Sequence, residues 1–79
     1  MIKDGIYYVN DGELKLIKVQ HGDVVLRHGY NTLLPSGSKH IGLIARSFTD
    51  LAVEKNALVR VRTWRNNDVM FSLVDYKEN

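Results

Sequence analysis

Ile41-Gly42-Leu43-Ile44-Ala45-Arg46-Ser47-Phe48-Thr49-Asp50-Leu51-Ala52 decides the fold class. Ile41, Ile44, Ala45, Phe48, Leu51 and Ala52 recur at three- and four-residue spacing, a stripe roughly 120° wide at about 100° per residue, with Arg46, Asp50 and Glu54 opposite. This is the clearest periodic signal in the chain, and it predicts one amphipathic helix from Ser38 to Lys55. Asn56 is a natural stop because asparagine tolerates the left-handed conformation, and Arg46 and Asp50 stand one turn apart, close enough to pair. Leu43 and Val53 fall outside the stripe, either as exposed apolar positions or as the edge of a dimer contact.

Immediately upstream lies Pro35-Ser36-Gly37-Ser38-Lys39-His40-Ile41-Gly42. Pro35 bars Leu34 from helical geometry and so sets a boundary. Two readings of the segment stay open. In one, Ser38 or Ser36 caps the helix and Lys39 is a solvated charge. In the other, the free amides of the first turn, the serine hydroxyls and Lys39 hold an anion at the positive end of the helix. The full phosphate-loop pattern is absent. The anion reading also carries a geometric condition: the arginines of residues 58–65 must face the same side as the helix entrance.

Before that boundary the chain reads as strands. Ile6-Tyr7-Tyr8-Val9 is β-branched and aromatic, and Asn10-Asp11-Gly12 is a hairpin turn sequence. Glu13 to Gln20 alternates, His21-Gly22-Asp23 breaks the run, and Asp23 to Arg27 begins another strand, which together predict a three-stranded meander. Gly29 to Gly37 reads as irregular. After the helix, Leu58 to Arg65 alternates, with Val59, Val61 and Thr63 on one side and Arg60, Arg62 and Trp64 on the other. Asn66-Asn67-Asp68 turns the chain, and Val69 to Tyr76 forms the last strand. The order β-β-β-α-β-β predicts a single α+β domain over residues 1–79: a small antiparallel sheet of about five strands with the helix on one face. The alternative is a small curled barrel with a helix.

Composition narrows the function classes. The chain has 79 residues, 44% of them hydrophobic and 25% charged, with no cysteine, so disulfides, thiolate nucleophiles and zinc–thiolate clusters are excluded. No apolar run approaches the roughly 18 residues of a membrane span, and the first residues show no secretory pattern. A cytoplasmic protein that does not engage the membrane is expected. A net charge of +2 permits a polyanionic partner without requiring one.

The candidate ligand-binding residues are Arg60, Arg62, Trp64 and Arg65, with Ser38 and Lys39 as a further anion contact. Arginines two apart on a strand share a face, where they can reach phosphates while the indole stacks on a base. Lys15 or Arg27 joins them if strand order allows. The plainer reading makes Arg60 and Arg62 a solvated, carboxylate-paired row and Trp64 a hydrophobic cover at the sheet edge. His21, His28 and His40 are not spaced as metal ligands, and no nucleophile context accompanies them, so neither a metal, nor a cofactor, nor an enzyme is expected. Tyr7, Tyr8, Tyr30 and Tyr76 supply interface-type residues, and of the adjacent Tyr7 and Tyr8 one belongs in the core and the other at the surface. The expected function is therefore a non-enzymatic module that binds nucleic acid or a nucleotide. The rival expectation is a protein-interaction module, such as a small phage- or mobile-element-type regulator or inhibitor of a larger protein. A homodimer is compatible with both, given so short a chain.

Overall fold

A computed structural model describes residues 3–17 and 24–76. Five strands and one helix follow in the order β1 (Gly5–Asn10), β2 (Glu13–Ile17), β3 (Val24–Leu34), α1 (Ile41–Lys55), β4 (Leu58–Thr63) and β5 (Val69–Tyr76). The strands form one open antiparallel sheet in the order β2-β1-β4-β5-β3, with α1 packed on one face. The α+β architecture is the one the sequence predicts, and the barrel is not formed: β2 and β3 are its two edges.

Two hairpins are built by local turn chemistry. Asp11 (φ 53°) and Gly12 (φ 75°) both take the left-handed region, the signature of a two-residue type I′ turn between Asn10 and Glu13. Between β4 and β5, the Trp64 N–H donates to the Asp68 carbonyl and the Asn67 N–H to the Trp64 carbonyl, each at 2.8 Å, with Asn67 left-handed at φ 66°. That is a three-residue loop closed by a bulge-type residue. It ends β4 at Thr63, so Trp64 and Arg65 lie in the turn rather than on the strand.

The predicted meander is not formed. β1 and β2 pair as expected, but β3 crosses to the far edge and pairs with β5, Val24 opposite Tyr76 and Leu34 opposite Val69. Strand β3 also runs through residues 29–34, which read as irregular, and it includes His28. Its register shifts between Leu26 and Asn31: five steps along β3 cover the interval that two steps, Val74 to Ser72, cover on β5. A bulge of this kind breaks the period-two pattern, which is why the segment resembles a loop in sequence. Residues 18–23, including the expected break at His21-Gly22-Asp23, lie outside the described residues.

The helix stripe is buried as the spacing requires. Phe48 and Ala52 join Tyr7, Val59, Val61, Phe71 and Leu73 in the core, with Ile41, Ile44, Ala45 and Leu51 packed against it, and the Phe48 and Phe71 rings stack with centroids 5.8 Å apart. Asn56 terminates the helix in the left-handed conformation, φ 53° and ψ 48°. Leu43 and Val53 are exposed. Tyr7 is buried and Tyr8 exposed, as adjacent strand residues must be.

The helix entrance differs from expectation. The helix begins at Ile41, not Ser38, and its N-cap is His40, which makes no side-chain capping bond. Ser38 instead closes a turn: its N–H donates to the Pro35 carbonyl at 3.1 Å, and Gly37, third in that turn, has φ 77°. The Ser38 hydroxyl accepts the His40 N–H at 3.2 Å, so it serves the amide of the N-cap residue and none of the helix's own first amides. Arg46 and Asp50 form no ion pair among the described residues.

Candidate functional site on the second sheet face

Strand alternation distributes the side chains between two faces. Tyr7, Val59 and Leu73 form one cross-strand row under α1, and Val61 pairs with Phe71 in the next. Residues one step along the chain therefore point away from the helix. On that second face Ile17, Ile6, Arg60, Ser72 and Asn31 make one cross-sheet row, while Lys15 lies opposite Tyr8, and Leu58 and Leu26 lie on either side of Val74. Arg62 stands opposite Met70, which stands opposite Leu33. Arg60 and Arg62 thus share one face, as alternation predicts, and Trp64 continues the line from the turn.

The centre of this face is buried and its rim exposed. Ile6 and Val74 are buried and Ser72 is fully so, whereas Tyr8, Leu26, Leu33, Trp64 and Tyr76 are each about half exposed. Arg60 Nε and Ser72 Oγ, on a directly opposed residue pair, are both buried without a hydrogen-bond partner among the described residues. Burial, and secondarily the neighbouring positive charge of Arg62, push the Arg60 guanidinium below its ordinary pKa. A partly desolvated cation beside a second cation is an electrostatically unfavourable arrangement that an anion relieves. The Arg62 guanidinium lies 5.7 Å from the centre of the Trp64 ring, within cation–π range.

The other candidate cations do not join them. Arg27 makes a bidentate pair with Asp75, Nε to Oδ2 at 2.8 Å and Nη2 to Oδ1 at 2.9 Å, which raises the Arg27 pKa and holds the Asp75 carboxyl below its usual range. Lys15 pairs with Glu13 at 3.0 Å, which raises its pKa. Lys55 lies over the Tyr30 ring at 5.2 Å. Arg60 and Arg62 make no ion pair among the described residues.

Ser38 and Lys39 belong to the connection between β3 and α1. The segment does hold one carboxylate, and it is the protein's own: the Ser36 N–H donates to Asp68 Oδ1 at 2.8 Å. Asp68 Oδ2 accepts from Asn66 Nδ2 at 3.0 Å, and the Asp68 N–H donates to Asn66 Oδ1 at 3.1 Å. Asp68 thus ties the turn bearing Trp64 to the loop before the helix. No sequence signal marked it, because its partner lies across the fold rather than along the chain. A second carboxylate does similar work: Asp4 Oδ1 accepts the Thr63 N–H at 2.8 Å and secures the end of β4.

Among the described residues, no cluster of three or more His, Asp or Glu is placed to hold a metal ion, and no helix is long and apolar enough to cross a membrane. Comparison of the chain with protein-family models, curated proteins and solved structures finds no match.

Proposed function

We propose that this chain is a small non-enzymatic binding module that contacts a phosphate-bearing ligand, nucleic acid or a nucleotide, through the β4 row of its second sheet face. The observation that carries this reading is the pair Arg60 and Arg62: two guanidiniums on one face, unpaired among the described residues, with Trp64 beside them. Elsewhere on the chain Arg27 and Lys15 are matched by carboxylates. Two neighbouring guanidiniums on one face, one of them partly desolvated, support a partner that brings its own negative charge. The contacts are narrowed to Arg60, Arg62, Trp64 and Arg65; Ser38 and Lys39 are left to the helix connection.

The test is a titration with fluorescent oligonucleotide at two or more salt concentrations. Phosphate contacts make affinity fall with salt, and Arg60→Ala with Arg62→Ala lowers the log–log slope by about 1.4, at ~0.7 for each single-strand phosphate that is no longer neutralised. No binding at low salt, or binding unchanged in the double variant, overturns the reading.

A second reading, a protein-interaction module, rests on the same face. Tyr8, Tyr76, Leu26 and Leu33 leave apolar surface around the arginines, a composition also suited to the anchors of a protein interface. A phage-type regulator or inhibitor role belongs with this reading, whereas cytoplasmic localisation and a homodimer are proposed under either reading. A purified complex that survives nuclease treatment and is lost in Tyr8→Ala and Leu33→Ala variants favours it over nucleic-acid binding.

A further inference from the structure

We infer that the ligand is single-stranded, with an unpaired base stacked on Trp64; this rests on the nucleic-acid reading above and narrows it. Trp64 is about half exposed although it is the largest side chain in the protein, and Arg62 holds one side of the ring by a cation–π contact. Beside the indole is an open depression of about 630 Å3 lined by Leu33, Trp64, Arg65, Asn66 and Asp68. Leu33 and the indole supply apolar surface for a planar ring, and the volume admits a nucleobase.

Charge is laid out for one phosphate chain rather than two. Arg60, Arg62 and the turn bearing Trp64 and Arg65 follow a single strand, and the step from residue 60 to residue 64 is ~13 Å at the usual strand rise. Duplex recognition uses a protruding element that enters a groove while cations reach phosphates on both strands. The helix is on the opposite face, and its outer surface mixes Arg46 with Asp50 and Glu54, so it offers no such element. An exposed indole gains stacking energy only from a base whose face is free, which a duplex interior does not present. Asp68, which also borders the depression, has both carboxylate oxygens engaged by Ser36 and Asn66, so the phosphates fall on the Arg62 and Arg65 side.

The single tryptophan makes the test direct. Full-length protein is titrated with a single-stranded 12-mer, with a blunt hairpin duplex of the same length and with inorganic polyphosphate, and both Trp64 fluorescence and ligand anisotropy are followed. The single strand is expected to bind at low salt and quench Trp64, the duplex to bind at least ten-fold more weakly, and polyphosphate to bind without a stacking quench. Trp64→Ala is expected to lose roughly five- to hundred-fold in single-strand affinity and Trp64→Phe only a few-fold, with both variants folded at the assay temperature by circular dichroism. Equal binding and equal quenching by duplex and single strand overturn the inference while leaving phosphate binding intact. Polyphosphate binding as tightly as the single strand, or Trp64→Ala binding like the parent, does the same. Absence of binding to all three overturns the nucleic-acid reading itself.

Discussion

Replacing Asp68 with alanine removes two hydrogen bonds to a charged acceptor, from Ser36 N–H at 2.8 Å and from Asn66 Nδ2 at 3.0 Å. Such bonds contribute ~0.5–1.5 kcal/mol each, and more with a charged partner, but both are solvent-exposed, which holds the sum to about 1–2 kcal/mol. The backbone bonds that close the turn, between Trp64 and Asp68 and between Asn67 and Trp64, need no side chain and persist. A domain of this size is stable by ~4–12 kcal/mol, so the variant remains folded. Its Tm, followed by circular dichroism, is expected to fall by about 4–16 °C, at ~4–8 °C per kcal/mol for a small domain. Asp68→Asn keeps an acceptor for the Ser36 amide and loses the one for Asn66, so it falls between the two. Amide exchange at Ser36 accelerates in Asp68→Ala and stays protected in Asp68→Asn. A Tm within about 2 °C of the parent, together with unchanged Ser36 exchange, would refute the claim that this carboxylate joins the two loops.

Substitutions at two further positions probe other parts of the fold. Because Arg27 holds the Asp75 carboxyl below its usual range, the pair stabilises the native state above the ordinary carboxylate pKa of about 4 and ceases to do so as pH falls through the lowered value. Asp75→Asn is therefore expected to lower Tm at neutral pH and to flatten the acid limb of the Tm–pH profile; an unchanged acid limb counts against the pair. At the helix C-terminus, where Asn56 holds φ 53° and ψ 48°, Asn56→Gly is expected to be neutral or stabilising and Asn56→Ala to cost about 1 kcal/mol, measured by urea denaturation.

What is legible in the sequence is what is local. The Asp11-Gly12 turn, the helix stripe through Phe48 and Ala52, the Asn56 stop and the alternation of Val59 and Val61 with Arg60 and Arg62 each depend on neighbours within a few residues, and each is found. The position of β3 depends on pairing with β5, across the helix and β4, and no local pattern encodes that. Its bulge further hides residues 29–34 as strand. The helix entrance departs from expectation for a different reason: Ser38 has a cap's chemistry, but the Pro35–Ser38 turn sets it three residues before Ile41, where its hydroxyl accepts the His40 N–H instead of a helix amide. For the candidate site, the Arg60 and Arg62 row is visible in the alternation. The Lys15–Glu13 pair is local, but the Arg27–Asp75 pair, the Ser72 hydroxyl buried without a partner among the described residues and the Asp68 tie depend on how distant segments meet.

Strand order also has a consequence for synthesis. β5 lies between β4 and β3, so β3 has no partner until residues 69–76 have emerged. At ~5–20 residues per second, the stretch from Leu34 to Val69 leaves β3 waiting about two to seven seconds. Throughout that interval Val24, Val25, Leu26, Leu33 and Leu34 form an unpaired apolar segment open to pairing with a neighbouring nascent chain. The stretch Arg27-His28-Gly29 divides the segment into two short apolar runs, and Pro35 ends the second. A neighbouring chain cannot add a long regular strand to so interrupted a template. The interruption that obscures β3 in the sequence thus also makes the waiting segment a poorer template for another chain before β5 arrives.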